Sequence, residues 1–183
     1  MFEFLIEKIA RMLDEAGVRY MIIGGQAVLF YGEPRLTRDI DITLDATLEQ
    51  LDDILKLIEQ VDFQPLVDPA TFTKQTMVLP CRDPETGIRV DFIFSFSLYE
   101  QQALHRVRRL KVGEASVCFA SPEDVIVHKI IAGRPRDLED VKGILLKNPD
   151  IDQPYIRRWL DDFSVALGES LLERFEELWR ESQ

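Results

Sequence analysis

The chain has 183 residues, 46% hydrophobic and 30% charged, enough for one compact domain or a small α/β core with a helical appendage. Its formal net charge of −11, from 22 Lys+Arg against 33 Asp+Glu, excludes bulk attraction to nucleic acid, although a local basic patch or a metal can still take a phosphate. Two cysteines and two histidines are too scattered for a zinc module or a disulfide framework, and Cys81 and Cys118, inside apolar strand-like runs, read as buried thiols.

Phe2, Leu5, Ile6, Ile9 and Leu13 recur at helical spacing, and Gly17 offers a stop. Glu3 and Glu7 inside this apolar stretch argue against a secretory leader, and no run reaches membrane-spanning length. A cytoplasmic protein with no membrane partner is therefore expected. "RYMII" is a short apolar strand ending at Gly24, "GQAVLFYG" a short helix between Gly25 and Gly32, and "EPRLTR" a loop. "DIDITL" alternates at period two, which predicts a strand with one wet face. "TLEQLDDILKLIEQ" is an amphipathic helix capped by Thr47. "FTKQTMVLPC" and "IRVDFIFSF" read as two strands joined across the turn "RDPETG", and "RRLKVGEASVCFA" as a hairpin around Gly113.

From Ser121 the period becomes helical, with a Ser cap and Pro122 at the first helical position. Three further helices are expected over roughly 136–147, 154–167 and 169–181. The expected layout is a mixed α/β core over 1–120, a small sheet flanked by helices, followed by a helical region over 121–183.

Thirteen residues separate the Gly24-Gly25 pair from Asp39. Asp39 and Asp41 point the same way from their strand, while Ile40 and Ile42 point into the core. Such a pair either faces bulk water, where like-charge repulsion costs little, or holds a hard cation such as Mg²⁺ through carboxylate oxygens. Two features favour the cation. Asp91 sits between apolar neighbours in "RVDFIF", where a charge needs a partner. If that strand lies beside the one carrying Asp39, three carboxylates converge. The glycine pair also follows a strand and opens a helix, where backbone N–H groups accept an anion. Neither a Gly-x4-Gly-Lys-Ser/Thr loop nor a Gly-x-Gly-x-x-Gly turn occurs, and the Gly-x-Ser-x-Gly nucleophile elbow and zinc-protease helix are also missing.

Ile23-Gly24-Gly25, then Asp39-Ile40-Asp41-Ile42, then Val90-Asp91-Phe92 resembles the nucleotidyltransferases of the DNA polymerase beta-like superfamily. "GGQAVLFYGEPRLTRDIDI" and "HKIIAGRPRDLEDVKGIL" look similar to its minimal bacterial members, including the AbiEii-like abortive-infection toxins. The resemblance spans roughly 20–146. It implies a nucleotidyltransferase fold in which Asp39, Asp41 and Asp91 bind two Mg²⁺ ions, or Mn²⁺ in their place. The implied reaction moves an NMP from an NTP to an acceptor hydroxyl and releases pyrophosphate, with Asp91 also placed to take the acceptor's proton. Gly24 and Gly25 would cradle the outer phosphates.

Arg35 and Arg38 flank the site and either contact phosphate, the favoured reading since the nearby charges are otherwise acidic, or stand as solvated loop charges. Thr37 either donates its hydroxyl to phosphate or caps the turn. Lys129 either reaches the triphosphate or snorkels to solvent, the resemblance favouring the former. Asp137 and Asp140, with Arg134 and Arg136 beside them, form either a salt-bridge network or a substrate contact. His105 and His128 are read as structural hydrogen-bonding groups. The acceptor is an RNA or tRNA end, a protein hydroxyl or a small molecule such as an antibiotic. "HRVRRLK" (105–111) is the basic patch that would dock RNA, and the toxin resemblance brings a possible antitoxin partner. The alternative is a nucleotide-binding or partner-binding module that does not catalyse.

Overall fold

A computed structural model describes residues 1–182; Gln183, the last residue of the expected helical region, lies outside the described residues. In chain order the elements are α1 (Phe2–Glu15), β1 (Tyr20–Ile23), α2 (Gly24–Tyr31), β2 (Asp39–Leu44), α3 (Leu51–Gln60), β3 (Gln64–Pro65), α4 (Pro69–Thr76), β4 (Val78–Arg82), β5 (Arg89–Phe94), α5 (Leu98–His105), β6 (Arg108–Val112), β7 (Ala115–Phe119), α6 (Pro122–Ala132), α7 (Pro135–Lys147), α8 (Gln153–Leu167) and α9 (Leu171–Glu181). The chain divides into two compact units. One comprises Met1–Ile23 and Thr37–Phe119, the other Gly24–Leu36 and the chain from Ala120 onward.

The first unit is built on a seven-stranded mixed sheet in the order β3-β4-β5-β2-β1-β7-β6. β2 runs parallel to β5, and β1 parallel to β7, while the other neighbours are antiparallel. Alternation sorts the strands into two faces. Ile40, Ile42 and Leu44 of β2 and Val90, Phe92 and Phe94 of β5 are all fully buried on one face. Burying an Ile, Leu or Phe side chain contributes roughly 1.5–3 kcal/mol, so this face anchors the register of both strands. Helix α1 lays Leu5, Ile6, Ile9 and Leu13 against the β6–β7 end of the sheet. It stops before Gly17, whose φ of +68° suits glycine.

The expected strand over 72–81 is corrected by the structure: its first half is helix α4. Asp68 caps that helix by accepting from the Thr71 N–H, Pro69 sits in its first turn, and Met77 ends it in the left-handed region. Local capping thus overrides the β-branched character of the segment, and the strand begins only at Val78. The sequence reading also passed over helix α5 and the two-residue β3.

The second unit is helical. Ser121 caps α6 by accepting from the Asp124 N–H and donating to its carboxylate at 2.6 Å. Asp124 also receives the Tyr155 hydroxyl at 2.7 Å, and Tyr31 donates to the Ala120 carbonyl at 2.9 Å. Ile126, Ile130, Val141, Ile144, Ile156, Leu160, Leu171 and Phe175 fill its core. Among the described residues no helix is long and apolar enough to cross a membrane.

Candidate active site

The wet face of the sheet is assembled by register. Across the parallel β2–β5 pair, Asp39 lies opposite Arg89 and Asp41 opposite Asp91. In-register partners project on the same side, so Asp39, Asp41, Arg89 and Asp91 share one face. Further across, Arg82 of β4 is in register with Arg89, and Pro80 with Asp91. On the opposite flank, Ile23 of β1 is in register with Asp41. The strand carrying Asp91 does lie beside the one carrying Asp39, as the convergence of three carboxylates requires.

Asp91 has the partner that its position demands. Arg89 Nε donates to Asp91 Oδ1 at 2.8 Å, with the Asp91 side chain only 14% exposed and that of Arg89 52% exposed. The hydrogen bond to Asp91 pushes Arg89 above the ordinary guanidinium range; burial opposes it, and the fields of Asp91, Asp39 and Asp41 add to it. Arg89 escaped the reading of the sequence. Its signal was there, since it stands two residues before Asp91 on a strand of period two.

The chemistry and register of the carboxylates fit a divalent ion, because all three offer hard oxygens on one face. As the side chains stand, however, no three His, Cys, Asp or Glu among the described residues are close enough to hold a metal. Part of the reason is visible: Asp91 is turned to Arg89.

The remaining expected contacts divide between the two units. In the sheet unit, Thr37 is half-buried and Arg38 exposed, immediately before β2. In the helical unit, Gly24 opens α2 with φ +63°, a conformation that favours glycine, and Gly25 is buried. Lys129 is buried in α6, where its ammonium lies 2.7 Å from Asp137 and 2.9 Å from Asp140. Arg134 adds a 2.6 Å contact to Asp137, and Arg35 a 3.0 Å contact to Asp140. Asp137 and Asp140 thus form a salt-bridge network. Burial would raise the Asp137 carboxyl, but hydrogen bonds from Arg134 and Lys129 outweigh it and hold the group below the usual carboxylate range.

His105 is structural. Its Nε2 faces the Arg19 guanidinium at 2.9 Å and its Nδ1 the Gln101 carbonyl at 2.7 Å. Since guanidinium only donates, Nε2 accepts and Nδ1 carries the proton. Both cysteines are buried and free. The basic stretch forms the sheet-edge strand β6, with Arg108, Arg109 and Lys111 exposed.

Comparison with known proteins gives the fold a family. The model of a family described as "Nucleotidyltransferase of unknown function (DUF6036)" matches residues 2–180. No curated protein matches significantly. Among solved structures, the antibiotic-resistance factor ANT(2'')-Ia superposes with a TM-score of 0.64 at 16% identity, covering 96% of this chain and 96% of that one. An antigenic nucleotidyltransferase-like protein from Paracoccidioides brasiliensis gives 0.57 at 18% identity, over 94% and 92% of the two chains. The lincosamide antibiotic adenylyltransferase LnuA, solved with lincomycin bound, gives 0.54 at 17% identity, over 74% and 91%. At these identities the likeness establishes the shared fold.

Proposed function

The chain belongs to this nucleotidyltransferase family, and from that premise we propose that it moves an NMP from an NTP to an acceptor hydroxyl and releases pyrophosphate. The observation that supports this reading most is the register of Asp41 with Asp91, which puts Asp39, Asp41 and Asp91 on one face of the sheet. These three would hold a pair of Mg²⁺ ions, or Mn²⁺, which supply positive charge at the α-phosphate and at the leaving oxygen. Asp91 accepts the proton of the attacking hydroxyl. The acceptor oxygen then bonds to the α-phosphorus as the bond to the β-phosphate oxygen breaks. Gly24, Gly25, Arg35, Thr37, Arg38 and Lys129 are assigned to the nucleotide on the resemblance. For Arg35 and Lys129 such contact requires release from Asp140, and for Lys129 from Asp137 as well.

The structural neighbours favour an adenylyl group and a small-molecule acceptor. One is a lincosamide adenylyltransferase with lincomycin bound, and ANT(2'')-Ia has also been solved with adenylyl-2''-tobramycin. An RNA end or a protein hydroxyl is the competing acceptor, the exposed arginines of β6 giving the RNA reading its one structural support. A toxin of the AbiEii type would arrest growth on expression and be relieved by a co-expressed antitoxin. The expected compartment of such an activity is the cytoplasm, where NTPs are abundant.

Transfer of α-label from each of the four NTPs, to RNA, protein and aminoglycoside or lincosamide acceptors in turn, identifies donor and acceptor together. Asp41→Ala should lower transfer by at least about a thousandfold, by analogy with loss of a charge-stabilising group in other active sites. Full transfer by that variant would sink the mechanism. Calorimetric Mg²⁺-dependent NTP binding without turnover on any acceptor would support the non-catalytic alternative instead.

A further inference from the structure

We propose that Arg89 is the resident counter-ion of the carboxylate face, which a divalent cation must displace before Asp91 can ligate it. The inference rests on the reading of that face as a metal site. Three observations carry it. First, Arg89 stands in register with Asp39 and two residues from Asp91, so its guanidinium belongs to the same face as all three carboxylates. Second, it donates from Nε to Asp91 at 2.8 Å and lies in the fields of Asp39 and Asp41 as well. Third, the two partners differ in freedom: the Asp91 side chain is 14% exposed, whereas Arg89 is 52% exposed at the first residue of β5. In the exchange, Arg89, the more exposed partner, is the one that moves.

The physical consequence follows from charge. Like charges on one strand face repel, and the Arg89 guanidinium, 2.8 Å from Asp91, offsets part of that repulsion in the metal-free protein. A guanidinium stays charged at any working pH, so it leaves the site only by moving. Metal entry is therefore an exchange of one cation for another. Arg89 lowers the affinity for free metal while protecting the empty site. It is a positioning residue: it acts through Asp91.

Mn²⁺ binding to the full chain, followed by electron paramagnetic resonance, tests this without reference to turnover. The series is wild type, Arg89→Gln, Arg89→Lys and Asp91→Asn, each also melted in EDTA. Removing the competing charge in Arg89→Gln should tighten Mn²⁺ binding about three- to tenfold, the range expected for a half-exposed pair. The same variant should melt lower in EDTA and regain the difference when Mn²⁺ is added. Arg89→Lys, which keeps the charge, should stay near wild type. A purely structural arginine would lower the melting temperature without tightening the metal. Unchanged or weaker Mn²⁺ binding by Arg89→Gln, with Asp91→Asn abolishing it, overturns the counter-ion proposal and leaves the metal site standing. Absence of Mn²⁺ binding in both wild type and Arg89→Gln overturns the metal reading and the proposal together.

Discussion

The carboxylate face of the sheet unit and the Lys129 network of the helical unit both concentrate charge, yet they resolve it differently. In the helices, Lys129 and Arg35 meet Asp137 and Asp140 almost out of solvent, with Arg134 closing the rim, so buried cations and carboxylates balance. On the sheet, Asp39, Asp41 and Asp91 share a half-open face with Arg89, and negative charge is in excess among these four. A balanced, buried cluster is what a fold needs in order to keep charge inside. A face on which three carboxylates stand in register and half-open to solvent is instead one on which a bound cation would add stability. The difference is between a network whose charges pair within the fold and a face proposed to take a cation.

The comparison breaks first on activity. Asp41→Ala should remove transfer while the protein stays folded, because the side chain lies on a half-open strand face; its unfolding free energy should change by less than about 0.5 kcal/mol. Lys129→Met should do the reverse to stability. It removes the buried ammonium that Asp137 and Asp140 share and leaves them to Arg134 and Arg35, at a cost of about 2 kcal/mol. Both tryptophans, Trp159 and Trp179, lie in α8 and α9. Tryptophan fluorescence in a denaturant titration therefore reads the helical unit directly. Its midpoint should fall for Lys129→Met and hold for Asp41→Ala. An unmoved midpoint for Lys129→Met would mean that the network is not structural.

Acid sharpens the same contrast. The Asp137 carboxyl is depressed in the folded protein, so above the unfolded carboxylate's ordinary value its ionised form stabilises the fold. That contribution is lost as pH falls through the depressed folded value. The tryptophan-monitored transition should weaken progressively below about pH 4, where unfolded aspartates begin to bind protons. Asp137→Asn should flatten this pH dependence. An acid limb of the same slope in the variant would assign it to other carboxylates.

How much of this was readable in advance depends on the range of the forces involved. The alternation of "DIDITL" and "RVDFIF" is local, so the strands, their buried faces and the three aspartates were legible. The parallel register that sets Asp41 beside Asp91 was only a condition in the sequence, because strand pairing is a long-range choice. Arg89 illustrates the boundary: its face follows from alternation, but its importance follows from register. The misread segment at 72–81 fails for the opposite reason, since Asp68 and Pro69 are local signals that outweighed a β-like composition. The grouping of residues 24–36 with the C-terminal helices comes from packing, for example Asn148 donating to the Tyr31 carbonyl at 2.9 Å, and no local pattern encodes it.

The smallest effect bears on what stabilises the sheet unit, if its charges do not. Helix α5 starts with a reciprocal cap: Ser97 Oγ accepts from the Glu100 N–H at 3.2 Å, and the Glu100 carboxylate accepts from the Ser97 and Phe96 N–H groups at 3.0 and 2.8 Å. These bonds satisfy donors that the first turn of a helix otherwise leaves open. Ser97→Ala should cost about 1 kcal/mol, a typical value for loss of such a cap. Circular dichroism in a denaturant titration is the suitable probe, since the sheet unit holds no tryptophan. If Ser97→Ala costs more stability than Asp41→Ala, a single neutral hydroxyl supports this unit more than one of its most prominent charges does. That ordering is expected if the carboxylates are there for a ligand. The reverse ordering would return Asp41 to the scaffold.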